Sequence, residues 1–260
     1  MGWTPDPATW REQFAETGYL VVEDAVEPER LQHMREALER IERAVAEDTL
    51  PAHLRRFVGS VVGGDTITNV MELPLFDPVF RDLIVHPRVL DILEAIFETA
   101  EFGFHNYKCI WKMPGGRADF PWHRDLPYLP HTSANLLTCM LCVDPMTEAN
   151  GATVVCPGTH RIAAEDVLPG DTDIPEAGVP AGRVAVTCPA GAAVLIHISL
   201  IHGGPPNRTN SKRRNVIGIW SGPDAHPTGP YRYAYQGVMP RSADPLRRRQ
   251  IALAFPNRER

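Results

Sequence analysis

The sequence contains no apolar run that approaches the roughly 20 residues of a membrane-spanning helix. Residues 1–6 lack the basic and then apolar segments of a secretory signal. Positive charge is not in excess, because the formal net charge is −6 at neutral pH and the arginine cluster at 247–249 is short enough to be a solvated helix face. These absences argue against a membrane or a nucleic acid as partner and predict a cytoplasmic protein.

Cysteine is sparse and shows no pairing pattern. The chain has five cysteines, an odd number scattered through apolar segments, which predicts reduced and buried thiols. Cys139 and Cys142 have the spacing of half a zinc site, but no second pair accompanies them. On an alternating strand the two would also face opposite ways, so a zinc site or a redox pair is not predicted.

The 260 residues, 43% of them hydrophobic, are enough for one core. Helical patterns cover about 8–16, 28–47 and 78–97. Beyond residue 101 the pattern changes to short apolar runs between turn residues, at 102–112, 135–144, 152–156, 183–187, 192–201 and 213–220. This change predicts an all-β core with flanking helices.

We expect a single domain over 1–260, with mostly helical support in 1–100, the β core in 101–222 and a C-terminal extension in 223–260. Residues 162–181 are predicted to form a long loop that borders the substrate.

The strongest chemical signal is a pair of residues, His123 and Asp125, combined with the distant His202. In an extended segment, residues two apart point to the same side, so His123 and Asp125 can reach one ion. His202 ends an apolar run that is predicted to be a buried strand, whereas His197 within that run is predicted to be a core residue. Two histidines and one carboxylate are the facial triad of non-haem Fe(II) oxygenases, which leaves one face of the metal open.

Arg213 opens the next predicted strand and is a candidate anion site. A buried guanidinium needs an anionic partner, and its planar fork suits a carboxylate. A dicarboxylate that chelates iron with one end would supply that partner with the other. Arg214 could take this role instead, and Arg213 could equally be a surface residue beside Lys212.

Taken together, these residues resemble the phytanoyl-CoA dioxygenase family of Fe(II)/2-oxoglutarate-dependent oxygenases. The resemblance is carried by residues 18–25, 111–116, 123–130, 150–161 and 200–208. Within these, Asn150-Gly151 followed by Pro157-Gly158-Thr159-His160-Arg161 is characteristic of that family. The resemblance implies a double-stranded β-helix, or cupin-like jelly roll, and an oxidoreductase that uses Fe(II), 2-oxoglutarate and O2.

The resemblance also implies roles for individual residues. His123, Asp125 and His202 would ligate Fe(II), and Arg213 would bind the far carboxylate of 2-oxoglutarate. Because Asp125 is present, the halogenase variant of this site, which has a small residue there, is not expected. Further positions that match cosubstrate contacts in the family are Lys108 and Leu141.

Gly204 departs from the family pattern. Many members have serine two residues after the distal histidine, and its hydroxyl helps to hold the cosubstrate carboxylate. Thr138 is a candidate for a substitute hydroxyl.

The candidate substrate contacts are mostly aromatic, which suits an apolar or ring-containing small molecule. They are Tyr107, Trp111, Trp122, Arg124, Tyr128, His131 and Trp220, although each aromatic also fits a plain core position. The preferred interpretation is hydroxylation of an unactivated C–H bond in a natural product or another secondary metabolite. Desaturation, epimerisation and cyclisation are not separated from it, and the oligomeric state is not indicated.

Two other functions stay open at this point. One is a cupin-like metalloenzyme that uses the same ligands without 2-oxoglutarate. The other is a catalytically silent jelly-roll binding module.

Overall fold

The computed structural model describes residues 3–59, 68–115, 119–230 and 232–255 of the chain. Its strands are β1 Tyr19–Val22, β2 Val58–Gly59, β3 Asn69–Met71, β4 Gly103–Lys112, β5 Phe120–His123, β6 Leu136–Cys142, β7 Val154–Val155, β8 Val184–Ala185, β9 Ala193–His197, β10 His202–Gly204 and β11 Arg213–Ser221. Its α-helices are α1 Pro7–Thr17, α2 Pro28–Ala46, α3 Ala52–Arg55, α4 Pro78–Asp82, α5 Pro87–Phe97 and α6 Pro245–Ala254.

The strands form two antiparallel sheets. The larger sheet has the order β1-β9-β6-β11-β4-β3-β2, and the smaller has the order β5-β10-β7-β8. Helices cover one face of the larger sheet, while its other face meets the smaller sheet. This arrangement confirms the predicted jelly-roll core with flanking helices.

The amphipathic pattern of the N-terminal half forms the helical layer. In α2 the residues that face the sheet recur every three or four positions and are buried; they are Leu31, Met34, Leu38 and Ile41. Burial of each such side chain contributes on the order of 1.5–3 kcal/mol before the entropy of ordering is subtracted. Val45, the last residue of the same stripe, is only partly buried. The helical pattern over 78–97 is divided at Pro87, since α4 ends before it and α5 begins there.

Side-chain alternation sorts the residues of the larger sheet between two cores. Tyr107, Trp111 and Trp220 face the helices, where all three are fully buried. Met140 and Ile196 face the smaller sheet and pack near Val155 of β7. Every second position of β4, β6, β9 and β11 is therefore available to line the space between the sheets.

The five cysteines are free and buried, as predicted. Cys139 packs in the core beneath the helices, and Cys142 packs between the sheets. The alternation that separates these two side chains is the one expected from their spacing.

The prediction of one continuous strand over 192–201 was wrong. Strand β9 ends at His197, and residues 198–201 cross to the smaller sheet, where β10 begins at His202. This crossing segment carries the candidate metal ligand from one sheet to the other. Among the described residues, no helix is both long and apolar enough to traverse a membrane.

Candidate metal centre and its cavities

Three candidate ligand side chains converge between the open ends of the two sheets. Nε2 of His123 lies 3.6 Å from Oδ1 of Asp125, and Nε2 of His202 lies 3.9 Å from Oδ2 of Asp125. All three ligand atoms lie within 4.8 Å of one another, close enough to share one ion. Two imidazole nitrogens and one carboxylate suit Fe(II) and leave positions open on the metal.

Both imidazole rings are held by backbone carbonyls on the side away from this cluster. Nδ1 of His123 lies 2.8 Å from the carbonyl oxygen of Pro121, and Nδ1 of His202 lies 3.0 Å from that of Leu200. When each Nδ1 carries the proton and donates it, each Nε2 presents its lone pair to the shared point. Such contacts fix the tautomer and the ring orientation of a metal-binding histidine.

The charges of the cluster match those that metal ligation requires. Burial favours the neutral form of Asp125, but the adjacent His202 and His123 hold its pKa far below the ordinary value, so it is ionised. Burial and the neighbouring His123 lower the pKa of His202 to about 4, so this ring is neutral. A neutral imidazole and a carboxylate need not lose protons before they bind a cation, whereas Asp125 outweighs burial and raises the pKa of His123, so that a bound metal would displace a proton there.

The crossing segment 198–201 organises the cluster. The backbone N–H groups of Asp125 and Leu126 both donate to the carbonyl of Ile198, each at 3.0 Å. The same segment leads into His202, which pairs with His123 across β10 and β5. The predicted geometry of His123 and Asp125 needs a correction: β5 ends at His123, and Asp125 has helical backbone angles at the start of a short 3₁₀ turn. Their side chains converge through this turn and not through strand alternation.

Thr138 supports the carboxylate. Its hydroxyl donates to Oδ2 of Asp125 at 2.7 Å, so it lies at the metal end of the site. Its hydroxyl proton is thus directed to Asp125, while the predicted contact of Thr138 with the cosubstrate carboxylate stays a prediction. A hydrogen bond to a ligand oxygen orients Asp125 and tunes its basicity.

A narrow cavity of about 100 Å³ leads inward from the cluster to Arg213. The guanidinium is 4% exposed, and its Nε has no hydrogen-bond partner among the described residues. Its Nη1 lies 3.0 Å from the thioether sulfur of Met146, a weak acceptor, and donates at 2.9 Å to the side-chain oxygen of Asn215 when that amide takes its satisfied orientation, so both acceptors are uncharged. Because a buried cation without an acidic partner is costly, an anion at this end of the cavity would be favoured. The surface alternative for Arg213 is excluded by its burial.

Arg214 does not compete for this role. It points to the helix side of the sheet, where its Nε and Nη2 donate to the two carboxylate oxygens of Asp144 at 2.8 and 2.9 Å. This bidentate pair, with Oε1 of Glu39 3.5 Å from Nη1, gives the Arg214 guanidinium two acidic partners, which Arg213 lacks among the described residues. Of the two arginines between which the sequence leaves the choice open, the alternation of β11 brings only Arg213 to the cavity.

Lys112 is a residue at the site that sequence reasoning missed. It is 1% exposed and lines the narrow cavity beside Arg213 and Gly204. Its position in the alternation of β4, four residues after Lys108, was the available signal. Lys108 itself lines both this cavity and the wider one described next.

A second cavity of about 410 Å³ lies on the outer side of the cluster, and His123 and Asp125 line both cavities. Tyr128 lies at its mouth, 58% exposed, with its ring 6.3 Å from that of His123. Asn106 lines it from β4, and the buried Oδ1 of Asn106 has no partner among the described residues. The remaining side chains are mainly apolar or aromatic, and include Met71, Ile219 and Tyr233.

Four predicted contacts lie on the wrong face of the larger sheet. Tyr107, Trp111 and Trp220, which were candidate substrate contacts, are buried beneath the helices. Leu141, a candidate cosubstrate contact, is buried there too, and its neighbour Met140 lines the narrow cavity instead. Each error is a shift of one residue in a pattern of period two.

Three further candidates have other contacts. Arg124 is held away from the outer cavity, because it pairs with Asp171 at 3.1 Å and donates to the carbonyls of Thr159 and Ser199. Trp122 faces the loop 162–181, donating from Nε1 to Glu176 at 2.9 Å. His131 lies beside His105 in neighbouring cavities that do not include the metal ligands.

The loop 162–181 packs against the strand that carries His123. Besides the contacts of Arg124 and Trp122, its Thr172 carbonyl accepts a hydrogen bond from the Tyr128 hydroxyl at 3.3 Å. Tyr128 lines the outer cavity, so the loop supports the wall of that cavity through this residue.

The comparisons with known proteins point the same way as the site. The family model for phytanoyl-CoA dioxygenase (PhyH) matches residues 14–215. A probable alpha-ketoglutarate-dependent hypophosphite dioxygenase of Stutzerimonas stutzeri is 26% identical over 233 residues, which are 85% of this chain and 80% of that protein. Human peroxisomal phytanoyl-CoA dioxygenase is 25% identical over 235 residues, which are 83% of this chain and 68% of that protein.

Solved structures show the same fold. EctD from S. alaskensis with bound Fe has a TM-score of 0.71 at 21% identity, over 93% of this chain and 88% of that one. The non-heme alpha ketoglutarate dependent carbocyclase SnoK from nogalamycin biosynthesis also has a TM-score of 0.71 at 21% identity, over 88% of this chain and 95% of that one. Because the family model covers most of the sequence, the chain belongs to the phytanoyl-CoA dioxygenase family of Fe(II)/2-oxoglutarate-dependent oxygenases.

Proposed function

We propose that this protein hydroxylates an unactivated C–H bond of a small molecule, with Fe(II) on His123, Asp125 and His202 and 2-oxoglutarate on Arg213. The observation that carries the proposal is the unpaired, buried guanidinium at the end of a narrow cavity whose other end is the ligand cluster. A keto acid that chelates the metal at one end would place its far carboxylate at this guanidinium. The planar fork of arginine binds such a carboxylate with two parallel hydrogen bonds.

Iron, when bound, would supply the oxidation: O2 and 2-oxoglutarate are consumed, and succinate, CO2 and an alcohol are formed. The protein supplies binding, orientation and exclusion of water. His123 and His202 present Nε2 because backbone carbonyls hold Nδ1. Thr138 holds Asp125, and Arg213 fixes the direction in which the keto acid lies.

The inner cavity would hold the cosubstrate, and the outer cavity would hold the substrate. The inner cavity, about 100 Å³, ends at the buried cation and suits the dicarboxylate. The outer cavity, about 410 Å³, falls in the size range of small-molecule sites and opens beside His123 and Asp125. Its largely apolar lining, with Asn106 and Lys108 as polar groups, suits a molecule with an apolar body and a hydrogen-bonding group.

A natural product or another secondary metabolite is the substrate class that we favour. The outer cavity opens at Tyr128, which leaves room for a molecule larger than the part that is oxidised. The carbocyclase SnoK comes from nogalamycin biosynthesis, which supports a natural-product role on the same fold. A cupin-like enzyme without 2-oxoglutarate would have no use for the unpaired Arg213, and a silent module would have none for the ligand cluster.

The test is turnover of 2-oxoglutarate, followed as succinate, with Fe(II), O2 and a panel of small molecules. We expect substrate-stimulated succinate release that is lost in His202→Ala. Arg213→Met should raise KM for 2-oxoglutarate, whereas Arg208→Met, which removes an exposed arginine, should leave it unchanged. An unchanged KM in Arg213→Met would overturn the role of Arg213.

A further inference from the structure

We propose that Lys112 is a second anchor for the far carboxylate of 2-oxoglutarate, and that its ammonium group takes the place made free by glycine at position 204. The inference rests on the proposed function, because it concerns the cosubstrate of the same site. It assigns a role to the departure from the family at Gly204.

The register of the sheet places Lys112 directly beside Arg213. The two residues are partners across β4 and β11, so their side chains leave the sheet on the same face. Like charges at directly opposed positions destabilise a sheet, and here both charges are buried. The carboxylate of Asp144 relieves this repulsion only slightly, because it pairs with Arg214 on the other face. A dicarboxylate in the cavity would neutralise both cations.

The contacts of Lys112 hold its ammonium group in place without neutralising it. Nζ donates to the carbonyl oxygens of Gly151 at 2.9 Å and Pro205 at 2.5 Å. An ammonium group has three N–H donors, so one remains for a ligand in the cavity. Both acceptors are uncharged, and Asp119, the acidic group that favours the charged form of Lys112, is exposed.

Gly204 and Lys112 depend on each other sterically. A Cβ atom at position 204 would lie 2.8 Å from Nζ of Lys112, which is closer than real Cβ contacts. A serine at 204 would therefore displace an ammonium group that two carbonyls hold. The space next to position 204 is taken here by a donor that can carry a full charge, which suits a carboxylate better than a neutral hydroxyl.

The ionisation of Lys112 fits a ligand-binding role. Burial and the adjacent Arg213 lower its pKa to about 7. A bound carboxylate would oppose both effects and raise this pKa again. A structural lysine with a permanent anionic partner would instead keep a high pKa.

The test is an anaerobic titration of the Fe(II)-loaded protein with two keto acids, followed by absorption. The ligands are 2-oxoglutarate and 2-oxopentanoate, which has the same chain length without the far carboxylate. We expect Lys112→Met to weaken 2-oxoglutarate about tenfold to hundredfold, the range of a charged hydrogen bond, and to leave 2-oxopentanoate within about twofold. Equal loss for both ligands, or no loss for 2-oxoglutarate, would overturn the proposal.

A second set of variants keeps the test decisive if Lys112→Met folds poorly. Gly204→Ser alone should weaken 2-oxoglutarate, because it displaces Nζ, whereas the double variant Lys112→Met/Gly204→Ser should bind more tightly than Lys112→Met alone. If the effects of the two substitutions on 2-oxoglutarate binding were simply additive, Nζ of Lys112 would not depend on the space left by glycine at position 204. The proposed function fails separately, since it predicts binding of 2-oxoglutarate by the unmodified protein and loss of that binding in Arg213→Met.

Discussion

Single side chains at the two ends of the narrow cavity decide what it binds. At one end, Asp125 is ionised by its histidine neighbours and attracts a cation. At the other end, Arg213 and Lys112 are buried without an acidic partner in the described part of the chain and attract an anion. A metal with a chelating dicarboxylate satisfies both ends at once.

The affinity for 2-oxoglutarate should depend on pH through Lys112. In the free protein its pKa is about 7, lowered by burial and Arg213 and opposed by Asp119. The dianion binds the protonated form, so its affinity should be highest below about pH 7 and should fall as pH rises above that value. Calorimetric titration between pH 6 and pH 9 measures this affinity, and an affinity that does not change with pH in that window would contradict the role of Lys112. In the Lys112→Met variant, the dependence of the affinity on pH should be lost.

Thr138→Val should weaken iron binding without unfolding the protein. The substitution removes the 2.7 Å hydrogen bond to Oδ2 of Asp125 and keeps the size of the side chain. Loss of such a supporting contact costs about 10–100-fold in metal affinity. Thr153→Val is the matched control, because Thr153 lines the same cavity but directs its hydroxyl toward the sulfur of Met140. Equal iron affinities in the two variants would show that Thr138 has no such role.

At the scale of elements, the contact between loop 162–181 and β5 holds the wall beside the metal. Asp171 pairs with the buried Arg124, which also ties this region to the crossing segment through the carbonyl of Ser199. The loop, the strand and the crossing segment are thus joined at one guanidinium. The expectation that the loop borders the substrate stays a prediction.

Asp171→Asn should loosen this loop. It removes the charge opposite Arg124 and leaves the shape unchanged, so amide hydrogen exchange in 162–181 should become faster. Asp173→Asn is the control, since Asp173 is exposed on the same loop. If both variants exchange at the same rate as the unmodified protein, the ion pair does not hold the loop.

Secondary structure could be predicted from the sequence where a regular apolar pattern extends over many consecutive residues or a proline interrupts it. The stripe of α2 and the break at Pro87 follow from local rules that need no knowledge of the fold. The crossing at 198–201 could not be read in this way, because the run stays apolar while the backbone leaves one sheet for the other. Its direction is set by tertiary contacts, such as those of Ile198 with the turn at Asp125.

In the candidate site too, some residues could be predicted from the local sequence and others depend on tertiary contacts. The three candidate ligands stand out in the sequence because two histidines and a carboxylate in this pattern suit Fe(II). Arg213 stands out because a buried guanidinium needs an anionic partner. The aromatics Tyr107, Trp111 and Trp220 are candidates by residue type alone, although alternation from Lys108 on β4 and from Arg213 on β11 already places them on the other face of the sheet. The pairing of Lys112 with Arg213 needed the register between two strands that lie far apart in sequence.

At the scale of the whole molecule, the candidate metal ligands and the buried cations come from different sheets. His123 and His202 belong to the smaller sheet, and Arg213 and Lys112 to the larger one. Iron and 2-oxoglutarate would therefore bridge the sheets. Ligands that bind only the folded state stabilise it.

Thermal unfolding should show this stabilisation. At 100 times Kd, a ligand contributes about 2.7 kcal/mol, which corresponds to a rise in Tm of roughly 5–10 °C for a chain of this size. Fe(II) with 2-oxoglutarate under anaerobic conditions should produce such a rise, and 2-oxopentanoate a smaller one. Scanning calorimetry measures both, and an unchanged Tm with saturating ligands would contradict the bridging role.

The most direct test of the proposed chemistry is an anaerobic absorption titration of the metal-free protein with Fe(II) and then with 2-oxoglutarate. We expect a weak visible charge-transfer band that appears only after the keto acid is added, and that is absent in His202→Ala. If iron binds and no band appears, 2-oxoglutarate does not chelate the metal at this site, and the proposed function is contradicted.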